Sequence, residues 1–228
     1  MTPALSSTEM EQARTQVELR AWADNVHERF GQTEEGKRAM RLKEETLLKK
    51  FMEEIWPLAL FADAFYPQAT GVLFKPVIGN QSYDALLMER ASRRTKEYLQ
   101  ITQAFDGHQN YLRMLHLSEH GRAPRSGDVK RSRGSKHVEE SWGEAVPHED
   151  AISKTFEEIK KAVVNKSRMR YEKDTALIVE FDDWCIHSEA DRHALNQWTR
   201  RELPVIASNF RGVSLVSDRA RLAFQSGS

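Results

Sequence analysis

Apolar residues in the first part of the chain recur at mostly helical spacing over 10–30, where Val17, Leu19, Trp22, Val26 and Phe30 form one stripe. Ser6 followed by Glu9 has capping-box spacing and predicts a helix start, and Gly31 predicts the stop. The pattern predicts a second helix over 36–55, interrupted or kinked at Pro57, with a helical apolar run continuing to Pro67. Glycine and proline punctuation then takes over. Short β-branched and aromatic runs predict strands near 72–78, at 83–88 and at 97–104. In the last of these, Leu99 and Ile101 face one way and Tyr98, Gln100 and Thr102 the other, because strand side chains alternate.

Asp106 and Gly107 make a turn, and 110–120 reads as a helix stopped by Gly121. Residues 122–147 are rich in Gly, Ser and Arg and predict a long loop or a pair of edge strands. A helix follows over 149–171, with Ile152, Phe156, Ile159 and Val163 as its apolar stripe. The run from Thr175 to Trp184 is continuously apolar before its acidic end, as a central strand covered on both faces requires. A helix from Ser188 to Pro204 or slightly beyond, then one or two strands, complete the chain. Strands flanked by helices on both sides predict an α/β domain built on a mixed central sheet, over 41–228, with 1–40 as an N-terminal helical appendage.

Composition narrows the options. In 228 residues, 39% are hydrophobic, enough for a substantial core, and 30% are charged. Lys and Arg number 34 and Asp and Glu 34, so any affinity for nucleic acid has to come from a local patch. One patch stands out: Arg125, Lys130, Arg131, Arg133 and Lys136, with Trp142 nearby as a stacking group. The competing reading is a solvated loop balanced by Glu139, Glu140 and Glu144. The single cysteine, Cys185, excludes a disulfide framework and reads as a buried thiol in a reducing, cytoplasmic setting. No secretory leader and no membrane span are predicted. His116 and His120 have zinc-ligand spacing on one helix face, without the glutamate of an HExxH motif. Glu180, Asp182 and Asp183 end the strongest strand, either lining a site or serving as loop and capping acids.

Asp84 starts one predicted strand, and Gln100 and Thr102 lie in the middle of the next. Polar groups within apolar strands are costly to bury unless something pairs with them. The competing reading makes Asp84 a strand-start acid with local hydrogen bonds, and Gln100 and Thr102 part of a solvated sheet face.

This order of elements, with an acid on one strand and a polar-x-polar pair on its neighbour, resembles the PD-(D/E)xK, or restriction-endonuclease-like, superfamily. That core runs helix, three antiparallel strands, helix, strand. The resemblance implies hydrolysis of DNA or RNA phosphodiesters with Mg²⁺ or Mn²⁺, cations that take oxygen ligands. Asp84 matches the first acid. Gln100 stands where the family has Glu or Asp, and Thr102 stands where it has Lys. Glu44, Glu45, Glu53 or Glu54 on the first helix can supply the missing carboxylate; Glu54, with Asp84 and Gln100, completes the expected metal set. Arg113, on the helix after the third strand, is the expected replacement for the lysine. The alternative is a fold that has lost its chemistry and serves as a nucleic-acid-binding or protein-interaction module, with the N-terminal helices meeting a protein partner or a second copy.

Overall fold

A computed structural model describes residues 4–123, 129–131, 138–140, 146–217 and 222–225. Helices α1 (Ser7–Met10), α2 (Gln16–Gly31), α3 (Glu34–Leu42) and α4 (Thr46–Lys50) lead into a π-helical turn, Phe51–Ile55, and then α5 (Trp56–Phe65). Strands β1 (Val72–Pro76), β2 (Ala85–Glu89) and β3 (Thr95–Ala104) follow. Next come α6 (Gly107–His120), the short strands β4 (Val129–Arg131) and β5 (Val138–Glu140), and α7 (His148–Ser167). The chain ends in β6 (Thr175–Phe181), α8 (Glu189–Ile206), β7 (Val213–Val216) and β8 (Ala223–Gln225).

The main sheet has the order β1-β2-β3-β6-β7-β8. The pairs β1–β2, β2–β3 and β7–β8 are antiparallel, whereas β3–β6 and β6–β7 are parallel, so the sheet is mixed. Parallel neighbours need long crossovers, supplied by α6 through α7 for the first pair and by α8 for the second. Strand β6 takes the expected central position. Its Ile178 packs into the cluster on the α2 and α5 face, and Leu177 and Val179 pack into the cluster with α7 and α8. Helices therefore cover both faces, as the composition of β6 requires. Among the described residues no helix is long and apolar enough to cross a membrane.

The helix expected over 10–30 is broken. Ser6 caps α1 by accepting from the Glu9 N–H, but the Glu9 carboxylate accepts from Trp22 Nε1 at 2.9 Å and does not close a capping box. A complete capping box forms at Thr15 and Glu18 and starts α2. Val17 is exposed, and Gln16 takes the inward position, donating to Asp63 at 2.8 Å.

The segment 1–40, expected as an appendage, is part of the core. Leu19, Ala23, Val26 and Phe30 share one buried cluster with Phe74, Ala85 and Leu99 of the sheet. Arg14 and Phe74 also exchange backbone hydrogen bonds of 3.0 and 2.8 Å, extending the sheet beyond β1. A helical stripe announces a buried face without naming its partner, and here that partner is the sheet. The expected second helix is likewise divided, because Lys43 ends α3 in the left-handed backbone region at φ 51°.

The corner between α2 and α3 admits no side chain at Gly36: a Cβ there would lie 2.2 Å from the carbonyl oxygen of Phe30, whereas one at Gly31 would meet nothing within 4 Å. Gly36→Ala is expected to destabilise the fold by more than ~1 kcal/mol. Gly31→Ala should be neutral or stabilising by up to ~1 kcal/mol. Urea denaturation of both variants checks this; equal effects would contradict the packing described.

Candidate active site

Strand β2 begins at Ala85, paired with Leu99, so the second half of β3 has no β2 neighbour. Asp84 occupies the end of that ladder. Its backbone N–H donates to Leu99 at 2.9 Å, and its carbonyl accepts from Val77 at 2.9 Å. Its side chain does what a continued strand would do: Oδ2 accepts from the Ile101 N–H at 2.7 Å. The same oxygen accepts from Gln100 Nε2 at 2.5 Å, and that amide group also donates to the Ile101 carbonyl at 3.2 Å. Asp84 thus has the local bonding of a strand-start acid, and its position opposite Gln100 sets both side chains on one face.

Beyond the ladder's end lies an open cavity of about 580 Å³ whose lining includes Asp84, Gln100 and Thr102. The expected trio is therefore brought together, with Gln100 buried and Asp84 and Thr102 half-buried. Of the helical acids, Glu53 and Glu54 line the cavity, carried on the π-helical turn, whose wide hydrogen bond runs from the Trp56 N–H to the Phe51 carbonyl. Glu44 instead pairs with Arg38 at 3.2 Å, and Glu45 stands at the start of α4.

Cations surround these acids. Lys50 Nζ contacts both carboxylate oxygens of Glu54, at 3.0 and 3.1 Å. Lys43 Nζ reaches Glu53 at 2.8 Å and Gln103 Oε1 at 3.1 Å. Lys166, from the last turn of α7, lines the cavity from the other side of the sheet with Arg41 and Lys49 nearby in the rim. Burial pushes the Asp84 carboxyl above its ordinary range, opposed by the Ile101 N–H and by the charges of Lys166 and Lys50. Glu54 is also pushed up, first by burial and then by the charge of Asp84. Tyr171 is raised to about 12 by burial, with the Asp84 charge adding to it.

Two carboxyls raised by burial, one of them also by the charge of the other, suit a divalent cation, whose charge would relieve both. No cluster of three or more His, Cys, Asp or Glu able to hold a metal is found among the described residues. The donor set fits a magnesium-type ion that keeps waters or substrate oxygens beside one or two protein carboxylates. Asp84 and Glu54 would hold it, with Gln100 offering at most a neutral oxygen.

Arg113 is not brought to this cavity. One helical turn past Asn110 it lines a neighbouring cavity, where its charge acts on Glu158. That second cavity also receives Glu180, Asp182 and Asp183 from the end of β6, so these acids line a site-like space as well as serving local bonds; Asp183 accepts from the Ser217 hydroxyl. His116 and His120 lie with ring centroids 4.4 Å apart, but His116 is buried and its Nδ1 bonds the Arg122 carbonyl at 2.8 Å. Cys185 is buried beside Thr155, 3.3 Å from its hydroxyl.

Of the basic patch, Lys130 and Arg131 are exposed on β4, which pairs with β5 and packs on α6. Arg125, Arg133, Lys136 and Trp142 lie outside the described residues. The groups that sequence reasoning missed are the lysines. Lys50 was legible as an i,i+4 partner of Glu54, but no spacing ties Lys166 to Asp84.

A carboxyl raised in the folded state holds its proton more tightly there than in the unfolded chain, so ionisation works against folding. The stabilisation is complete below the ordinary carboxyl value and is lost as pH rises through the folded one. An Asp84→Asn/Glu54→Gln double variant should therefore gain stability relative to the wild-type chain as pH is raised from about 4 to about 7. Denaturation midpoints across that range measure it; a wild-type chain that gains on the variant would contradict the electrostatics described. Comparison of the chain with protein-family models, with curated proteins and with solved structures found no match.

Proposed function

We propose that this protein is a divergent metal-dependent nuclease with a PD-(D/E)xK-like core, hydrolysing nucleic-acid phosphodiesters in the cavity at Asp84. The observation that carries the reading is the convergence of Asp84, Glu54 and Lys166, from separate elements, on one solvent-open cavity, with Lys50 paired to Glu54. The order helix, three antiparallel strands, helix and, after the β4–β5 pair and α7, a strand parallel to the third supports it.

Asp84 and Glu54 supply the anionic ligands, and Mg²⁺ or Mn²⁺ would provide Lewis-acid stabilisation of phosphoryl oxygens. Gln100 holds the Asp84 carboxylate in place through its amide donor. Thr102, two residues on and on the same strand face, offers a hydroxyl to an attacking water or to a phosphate oxygen. Lys166 takes the cationic role that Thr102 cannot, stabilising charge that develops on the phosphoryl group. Arg41, Lys43 and Lys49 at the rim, with Lys130 and Arg131 on the neighbouring hairpin, hold the phosphate backbone without reading sequence.

The reading is tested with end-labelled DNA and RNA in the presence of Mg²⁺ or Mn²⁺. Asp84→Asn retains an acceptor for the Ile101 N–H, so it removes the charge while sparing the ladder's end. Asp84→Asn, Glu54→Gln and Lys166→Met are each expected to slow cleavage by about 10²–10³-fold. Cleavage at the wild-type rate by all of them excludes the site. The neutral Gln100 and the occupied Asp84 Oδ2 favour one alternative, a binding module without chemistry. Calorimetry separates the two: that module takes up no Mg²⁺ at Asp84, whereas the nuclease shows heat that is lost in Asp84→Asn.

A further inference from the structure

The second cavity, about 380 Å³, sits at the carboxyl ends of β3 and β6, against α6 and α7. It is not a separate pit. Arg41, Lys43, Gln103, Phe105 and Asn110 line both cavities, so the two form one continuous depression. Their characters differ. The first is dominated by lysines and carboxylates around Asp84. The second presents flat and thioether surfaces: Trp56, Phe105 and Trp184 with Met40, Met52 and Met114. Amide and carboxylate groups from Gln109, Asn110 and Asp182 stand among them.

We infer that the second cavity receives an unpaired nucleobase next to the phosphodiester held at Asp84, which makes single-stranded nucleic acid the substrate. This rests on the phosphodiester-cleaving reading of the first cavity. A base has two apolar faces and a polar edge, and it is recognised by aromatic side chains together with amide and carboxylate partners. The acids Asp106, Glu158, Glu180, Asp182 and Asp183 outnumber Arg41, Lys43, Arg113 and Lys154 by one, so the cavity suits a neutral polar ring better than a second phosphate. Its volume lies within the about 300–1,000 Å³ of small-molecule sites. Phe105, shared by both cavities, stands where the chain of a bound strand would pass from phosphate to base. A base stacked inside a duplex cannot enter without leaving its partner, and that costs free energy which a single strand does not spend.

Fluorescence anisotropy on the full chain in EDTA tests this without cleavage. The probes are a labelled single strand of about eight nucleotides, the same backbone with every base removed, and a hairpin duplex with equal phosphates. The complete single strand is expected to bind about tenfold more tightly than either other probe. Trp184→Ala, at an aromatic that lines the second cavity alone, should remove most of that advantage while leaving the abasic strand's affinity unchanged. Complete and abasic strands binding within about twofold of one another overturn the inference, as does preference for the duplex. Base-independent binding with intact Asp84-dependent cleavage overturns this inference alone. Failure to bind any probe overturns the nuclease reading with it.

Discussion

The hydrogen bond from the Ile101 N–H to the Asp84 carboxylate is the constraint on which the rest of the site depends. Strand β3 runs on past the start of β2, and its next backbone donor on that edge would otherwise face a gap. A buried donor without a partner is costly, and Asp84 closes the ladder with a side chain in place of another strand residue. That substitution leaves the sheet notched. A carboxylate fixed at the floor of a notch is both structural and available, since one of its oxygens does the bonding to Ile101 and Gln100.

The notch also explains how groups from both layers meet. Leu99 and Ile101 point into the core under α2 and α5, whereas Ala104 belongs to the core under α7 and α8. Where β2 is absent, the π-helical turn brings Glu53 and Glu54 from one layer, and the end of α7 brings Lys166 from the other. Both acids sit against burial, and Glu54 also against the charge of Asp84; the lysines compensate only in part, because both Asp84 and Glu54 remain raised. Acids held in this way cost stability when they ionise. Lys43 fits the same account: it ends α3 in a backbone region where glycine is usual, yet its side chain ties Glu53 to Gln103 at the boundary of the two cavities.

Alternation along a strand is a local property, so the shared face of Gln100 and Thr102, the central place of β6 and the stop at Gly121 were legible in the sequence. The pairing of Asp84 with Gln100 was legible too, because a hairpin fixes register between neighbours in sequence. Long-range docking was not. The stripe of α2 contains no sign that Phe30 would join Phe74 in one core, and so residues 1–40 read as a separate piece. Arg113 is expected at the site because it sits on the helix after the third strand, whereas the helical phase of α6 turns it into the neighbouring cavity. Lys166 was invisible because only the packing of α7 across β3 brings it to the notch. The acids at the end of β6 were open to two readings, and the sheet's parallel half decides that they line a cavity as well as making local bonds.

The most direct measurement is an NMR titration of the Asp84 side-chain carboxyl, followed with and without Mg²⁺. The Asp84 carboxyl is expected to titrate above the ordinary aspartate range in the metal-free protein and to move down when Mg²⁺ is added, with the shift lost in Glu54→Gln. A carboxyl that titrates at or below the ordinary range, indifferent to Mg²⁺ and to Glu54, would contradict this expectation.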